Sequence, residues 1–258
     1  IRSLKPDIVW TQSNWSVLPL LPLGLPIIAT FQDSCLKVPG WMIDDPRAHY
    51  RFVSKFQFNN WVKEDWEHAR SFQVYTGFTE NEFEMGEHDG GYYLWVAGLN
   101  WGFRRKGLDT FIRLALRNPD QFFVAYGTGN RALEVLLKLA GKYLANFEFR
   151  GVLPRGPQHA EAFKKAKAFI MPTRIPETLG RTVIESLSKG TPVIGTANGA
   201  LPEIIAPECG VATNDSEQFN AALRLTFDAN RCLEYSRKFH VKHEVRQLLD
   251  ISVSILNK

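Results

Sequence analysis

Cysteine is scarce here: Cys35, Cys209 and Cys232 are the only three in 258 residues. An odd, widely spaced set builds neither a disulfide framework nor a metal knuckle. It points instead to small buried hydrophobes in a reducing, cytoplasmic compartment. Long apolar runs are missing too. The most apolar stretch, 16–31, is too short to span a bilayer and is broken by Pro19, Pro22 and Pro26. The chain opens Ile1-Arg2 with no basic-then-apolar leader, and a start at Ile rather than Met suggests an upstream segment that was processed, removed or never included. Charge bias is weak. A net charge of +4 falls short of a nucleic-acid binder and only mildly favours anionic ligands or an acidic membrane surface. None of the six histidines (His49, His68, His88, His159, His240, His243) forms a metal-ligand pair with carboxylates, and His240 and His243 read as a helix surface. No Gly-x-Gly-x-x-Gly opens a first helix, which argues against a dinucleotide dehydrogenase.

What remains is an ordinary core-forming composition, 45% hydrophobic and 22% charged. Short apolar runs alternate with helix-period segments. Strands are expected at 7–10, 26–31, 51–54 and 72–75, then at 92–97, 122–126, 147–150, 168–171 and 191–195. Helices are expected near 108–117, 131–140, 157–166 and 180–189. This rhythm predicts an α/β fold of two Rossmann-like lobes, each a parallel sheet with helices on both faces. Ligands in such sheets sit beyond the carboxyl ends of the strands. The Glu- and Gly-rich stretch 79–91 breaks the periodicity and reads as a linker. It separates a domain over 1–78 from one over 92–231. A last segment, 232–258, carries apolar residues at helical spacing.

The densest chemistry lies at 172–195. A strand end leads into a loop carrying Glu177, a helix starts at Gly180, Glu185 follows inside it, and Lys189-Gly190-Thr191-Pro192-Val193 closes the helix and opens a strand. Backbone N–H groups of Gly180, Arg181 and Thr182 at a helix start favour an anion. Two flanking carboxylates suit sugar hydroxyls. A ligand with a diphosphate middle and hydroxyl-rich ends fits that layout.

Glu177, seven intervening residues and Glu185, with Gly180 at the helix start and the Gly-Thr-Pro-Val exit, resembles the retaining glycosyltransferases of the GT-B fold, family 4. The resemblance extends from Lys5 to about Phe239. It implies a transferase moving a hexose from a nucleotide-diphosphate sugar to an acceptor hydroxyl with retention, Glu177 contacting the donor sugar and Glu185 the ribose. The acceptor would be a sugar, glycan, lipid or protein hydroxyl. The resemblance further implies donor contacts from Leu179, Gly180, Arg181, Thr182, the Gly127 turn and main chain around Val152, with no cofactor and no metal. Lys106, beside Arg104 and Arg105, matches the family's phosphate loop, but Gly98 stands where relatives carry Arg, leaving Arg105 or Arg181 to supply the second charge. Gln32 stands where many relatives have a His on the donor sugar; glutamine forms hydrogen bonds but carries no proton near neutral pH.

The family's usual first strand and Gly-rich loop are absent ahead of Pro6-Asp7-Ile8-Val9, so the first lobe is expected to be incomplete. The terminal segment would return to pack on it. An alternative reading is a nucleotide-sugar-binding module without turnover. An epimerase reading lacks the acid–base groups it would need. The basic run Lys164-Lys165-Ala166-Lys167 reads better as a solvated helix end than as a membrane patch, and peripheral membrane contact stays open.

Overall fold

The structure, a computed structural model, describes residues 5–12, 17–32, 45–62 and 70–257. Cys35 lies outside them. The chain divides into two compact units, one formed by residues 1–78 with 239–258, the other by residues 79–238. In chain order the first unit opens with β1 (Val9–Thr11), α1 (Val17–Leu20), β2 (Ile27–Phe31), β3 (Ala48–Phe52), α2 (Lys55–Val62) and β4 (Ser71–Gln73). The second unit runs β5 (Tyr92–Val96), α3 (Leu99–Gly102), α4 (Leu108–Arg117), β6 (Phe122–Tyr126), α5 (Arg131–Tyr143), β7 (Phe147–Phe149), α6 (Pro157–Lys164) and β8 (Ala168–Met171). It continues through α7 (Arg181–Leu187), β9 (Val193–Gly195), α8 (Leu201–Ile204), β10 (Gly210–Ala212), α9 (Ser216–Ala221) and α10 (Ala229–Ser236), and α11 (Val241–Leu256) returns to the first unit.

Both sheets are wholly parallel. The first has order β1-β2-β3-β4 and the second β10-β9-β8-β5-β6-β7. The α/β class with two parallel sheets read from the sequence is therefore the one found. In the second sheet the winding reverses between β5 and β8, the switch point where α/β sheets open a crevice for ligand. Residues of both parities are buried along β5 and β8, which requires cover on both faces. One face closes over Trp95, Phe123 and Ile170 with Phe111 and Leu114 of α4 and Leu137 of α5. The four buried positions of α4, Leu108, Phe111, Leu114 and Ala115, fall on one helical stripe.

In the first unit the core gathers Val17, Ile27, Ala29, Phe31, Tyr50 and Phe52. Strand β3 lies about three residues before its expected place at 51–54. The strand takes in Ala48, His49 and Tyr50 ahead of Arg51, which is only 1% exposed. Its guanidinium pairs with Glu244 of α11 at 2.7 Å and donates to the carbonyls of Val74 and Tyr75. Burial pulls the Arg51 pKa below its ordinary value, against the Glu244 carboxylate. Glu244 also accepts from the Gly77 amide at 2.6 Å, and Trp10 donates to Ser252 at 3.1 Å. The terminal helix is thus fastened within the first unit, beginning at Val241 behind a His240 side-chain cap rather than at 232.

The stretch 79–91 is not a free linker. Amides of Glu84, Gly86, His88 and Gly90 donate to carbonyls of Ser188, Lys189, Lys164 and Lys165, so it is laid along the second unit. Its turn-rich composition had hidden this, because main-chain pairing leaves little mark on side chains. Among the described residues no helix is long and apolar enough to cross a membrane.

Candidate active site

The site is built at the carboxyl ends of β5, β6, β7 and β8. After β5 the chain passes through Gly98, extended at φ -65° and ψ 134°, into α3, and the Leu99 amide donates to the Thr128 carbonyl at 2.8 Å. This joins the loops beyond β5 and β6. Gly127 donates to Gly151 at 2.8 Å, joining β6 to the loop beyond β7. The joined loops and the first turns of α6 and α7 enclose a cleft of about 360 Å³. Its lining is Val96, Ala97, Gly98, Gly127, Thr128, Val152, Leu153, Arg155, His159, Arg181, Thr182 and Glu185.

Glu185 is the cleft's only acid, and its side chain is 13% exposed. Three cationic or titratable groups converge on it: Arg155 Nη1 at 3.7 Å, His159 Nε2 at 3.8 Å and Arg181 Nε at 3.8 Å. These separations are too long for direct hydrogen bonds, so the carboxylate is electrostatically held with its lone pairs available. Burial pushes the His159 pKa below its ordinary 6.5, opposed by Glu185 and supported by Arg155 and Lys189. His159 is accordingly neutral at pH 7.

Glu177 stands on the loop after β8, its side chain 12% exposed, in an ion pair with the Lys106 ammonium. Two glycines make this possible. Gly107 has φ +74°, and a Cβ there would lie 1.9 Å from the Pro172 carbonyl oxygen. Only glycine lets the Lys106 loop approach the Glu177 loop so closely. Gly199 has φ +68°, and a Cβ there would fall 2.3 Å from the Glu177 backbone nitrogen and oxygen. The Ala200 amide then donates to the Glu177 carbonyl at 2.8 Å. A second tie crosses the loops: Arg174 holds Asp109 through two contacts of 2.7 and 2.8 Å and donates to the Arg104 carbonyl at 2.6 Å.

Of the residues expected at the site, Gly127, Val152, Arg181, Thr182 and Glu185 meet in the cleft. Lys106 and Glu177 pair with each other beyond β5 and β8, neighbouring strands. Gly180 takes a left-handed φ of 77° and starts α7. Leu179, 5% exposed, turns its side chain into the core, which leaves only its main chain for a ligand. Arg105 is exposed outside the cleft lining, with its carbonyl accepting from the Arg174 amide at 2.8 Å. Gln32 belongs to the first unit and donates to Gln12 at 3.1 Å.

Sequence reasoning missed Arg155 and His159. His159 stands 3.8 Å from Glu185, an approach that the sequence reading, which looked for metal-ligand pairs, did not consider. Spacing along one helix could not show a pair made between α6 and α7. The available signal was that both helices start at the same sheet edge. Among the described residues no cluster of three or more His, Cys, Asp or Glu is placed to hold a metal ion.

A wholly parallel sheet with a basic cleft at its switch point is an α/β fold of the doubly wound class, and the match over residues 91–228, just over half the chain, gives the family. The protein belongs to the glycosyl transferases group 1. It is 32% identical over 101 residues to the sulfoquinovosyl transferase SQD2 of Arabidopsis thaliana, a match covering 39% of this chain and 18% of that relative. The chain thus spans under a fifth of the curated relative. Among solved structures, a glycosyltransferase from Rickettsia africae ESF-5 shares the fold at a TM-score of 0.79 and 16% identity, over 99% of this chain and 78% of that one. Anabaena Alr3699/HepE, solved with UDP and glucose, does so at 0.71 and 13%, over 95% and 77%.

Proposed function

We propose that the protein is a retaining glycosyltransferase that moves a hexose from a nucleotide-diphosphate sugar to an acceptor hydroxyl. The observation that carries this reading is the convergence of Gly127, Val152, Arg181, Thr182 and Glu185 on one basic cleft, with the Lys106–Glu177 pair on the adjoining loops. Glu185 binds the ribose hydroxyls. The base lies against main chain at Val152 and Leu153. Amides at the start of α7, with Arg181 and Lys106, stabilise the departing diphosphate by charge already in place, without a metal. Arg105 stands by as a further cation. Glu177 gives up part of its Lys106 contact to hold the sugar, and Lys106 turns to phosphate. In this scheme the donor phosphate accepts the acceptor's proton, so Gln32 in place of a histidine does not block turnover.

The relatives support a UDP-sugar as the first donor to try, because Anabaena HepE is solved with UDP and glucose and the pneumococcal O-GlcNAc transferase GtfA with UDP and GlcNAc. Gly98 at the family's Arg position favours a second reading, a module that binds nucleotide sugars without transfer. Slow donor hydrolysis separates the two. With water as acceptor and chelator present, NMR should show the freed sugar first as the anomer of the donor. Release of the opposite anomer would overturn retention. Donor binding without any release would favour the binding module.

A further inference from the structure

Helix α5 turns an apolar stripe outward. Val135 is 54% exposed, Leu136 62%, Leu139 43% and Tyr143 86%. With the exposed Ala132 they lie on one face, while Leu133 and Leu137 face the core. Arg131, Lys138 and Lys142, all exposed, form a row about a quarter turn away at roughly 100° per residue. Among the described residues no ion pair engages this row. The helix's one acid, Glu134, is half-buried on the core side and accepts from Thr128 at 3.3 Å.

We propose that α5 is a docking face for an anionic lipid surface. The apolar stripe enters the headgroup–acyl boundary while the basic row meets lipid phosphates, the lysine stems reaching out beside it. Charge selects this occupant. Two copies meeting antiparallel about a two-fold axis would set basic row against basic row, and a parallel pair would find no acid on the far flank. The run at 164–167 offers no such face, since Lys164 pairs with Glu84 and Lys165 with Glu161.

The test is flotation of the full chain with vesicles of phosphatidylcholine alone, and of two parts phosphatidylcholine to one part phosphatidylglycerol. Binding is expected to the anionic vesicles only, and should weaken with salt. Each basic residue near such a surface contributes roughly fivefold, so Lys138→Glu with Lys142→Glu should lower partitioning more than about twentyfold. Leu136→Gln, Leu139→Gln and Tyr143→Gln together should lower it more than about tenfold. None of these residues lines the cleft, so circular dichroism and nucleotide binding should be unchanged; if the apolar triple fails to fold, the lysine pair decides. No flotation with anionic vesicles, equal flotation with neutral ones, or flotation that the lysine pair retains would overturn the proposal. Self-association abolished by the apolar triple, without vesicle binding, would overturn it in favour of a contact between copies. Flotation uses neither donor nor acceptor, so its failure leaves the transferase reading standing.

Discussion

Replacing Glu185 sets two effects against each other, and their sizes decide the outcome. Loss of a charged hydrogen bond to ribose costs about 1.5–3 kcal/mol, roughly ten- to more than a hundredfold in affinity. Loss of the carboxylate also frees Arg155, His159 and Arg181, which stand 3.7–3.8 Å away, to attract phosphate more strongly. Arg155 and Arg181 are 84% and 51% exposed, so each of their pairs is worth no more than ~1 kcal/mol, and the neutral His159 adds little. The hydrogen-bond loss should win. Calorimetry with the bare nucleoside diphosphate is expected to rank wild type above Glu185→Gln, and Glu185→Gln above Glu185→Ala. Glu177→Gln should bind the bare nucleotide nearly as wild type does while losing sugar transfer. Glu185→Gln binding more tightly than wild type would mean that the carboxylate only balances charge, and the ribose role would be refuted.

Gly107→Ala should lower stability by about 2 kcal/mol or more, because it combines a left-handed φ with a Cβ 1.9 Å from Pro172; an unchanged midpoint in urea would contradict the loop packing. In the first unit, Arg51→Ala strands Glu244 and two carbonyls, so a cost of ~3–5 kcal/mol is expected in the same assay. Burial alone would raise the Asp109 pKa, but the Arg174 guanidinium outweighs it and holds the carboxyl below its ordinary 3.8. The stability this supplies is full above the unfolded value and is lost as pH falls through the folded one, so Asp109→Asn should flatten the melting-temperature profile below about pH 4. Unchanged acid sensitivity in that variant would show the Arg174 contact to be idle.

The alternating apolar runs made the second unit legible from β5 to β9, since both sheet faces are buried and the strands read as continuous apolar stretches, whereas the short elements α3, β10, α9 and α10 were not read. Strand β3 was harder, because the polar His49 interrupts the apolar run at its start, and no local pattern announces the Glu244 that pairs with Arg51. The segment 79–91 misled for a related reason: its ties are main-chain hydrogen bonds, blind to side-chain type. In the candidate site, the glycine turns and both glutamates were visible because the chemistry of a helix start constrains sequence locally. Arg155 and His159 were invisible because their relation to Glu185 is made between two helices. The pairing of Lys106 with Glu177 was equally hidden, since it depends on the approach that Gly107 permits.

The claim at the centre of this account is that the cleft of the second unit holds a nucleoside diphosphate. Calorimetric titration of the full chain with uridine, guanosine and adenosine diphosphates, each with chelator present, tests it most directly. One diphosphate should bind at a single site, bind far more tightly than its nucleoside, and lose roughly ten- to more than a hundredfold in affinity in Glu185→Ala. Binding by none of the three, or binding that Glu185→Ala leaves untouched, would contradict the account.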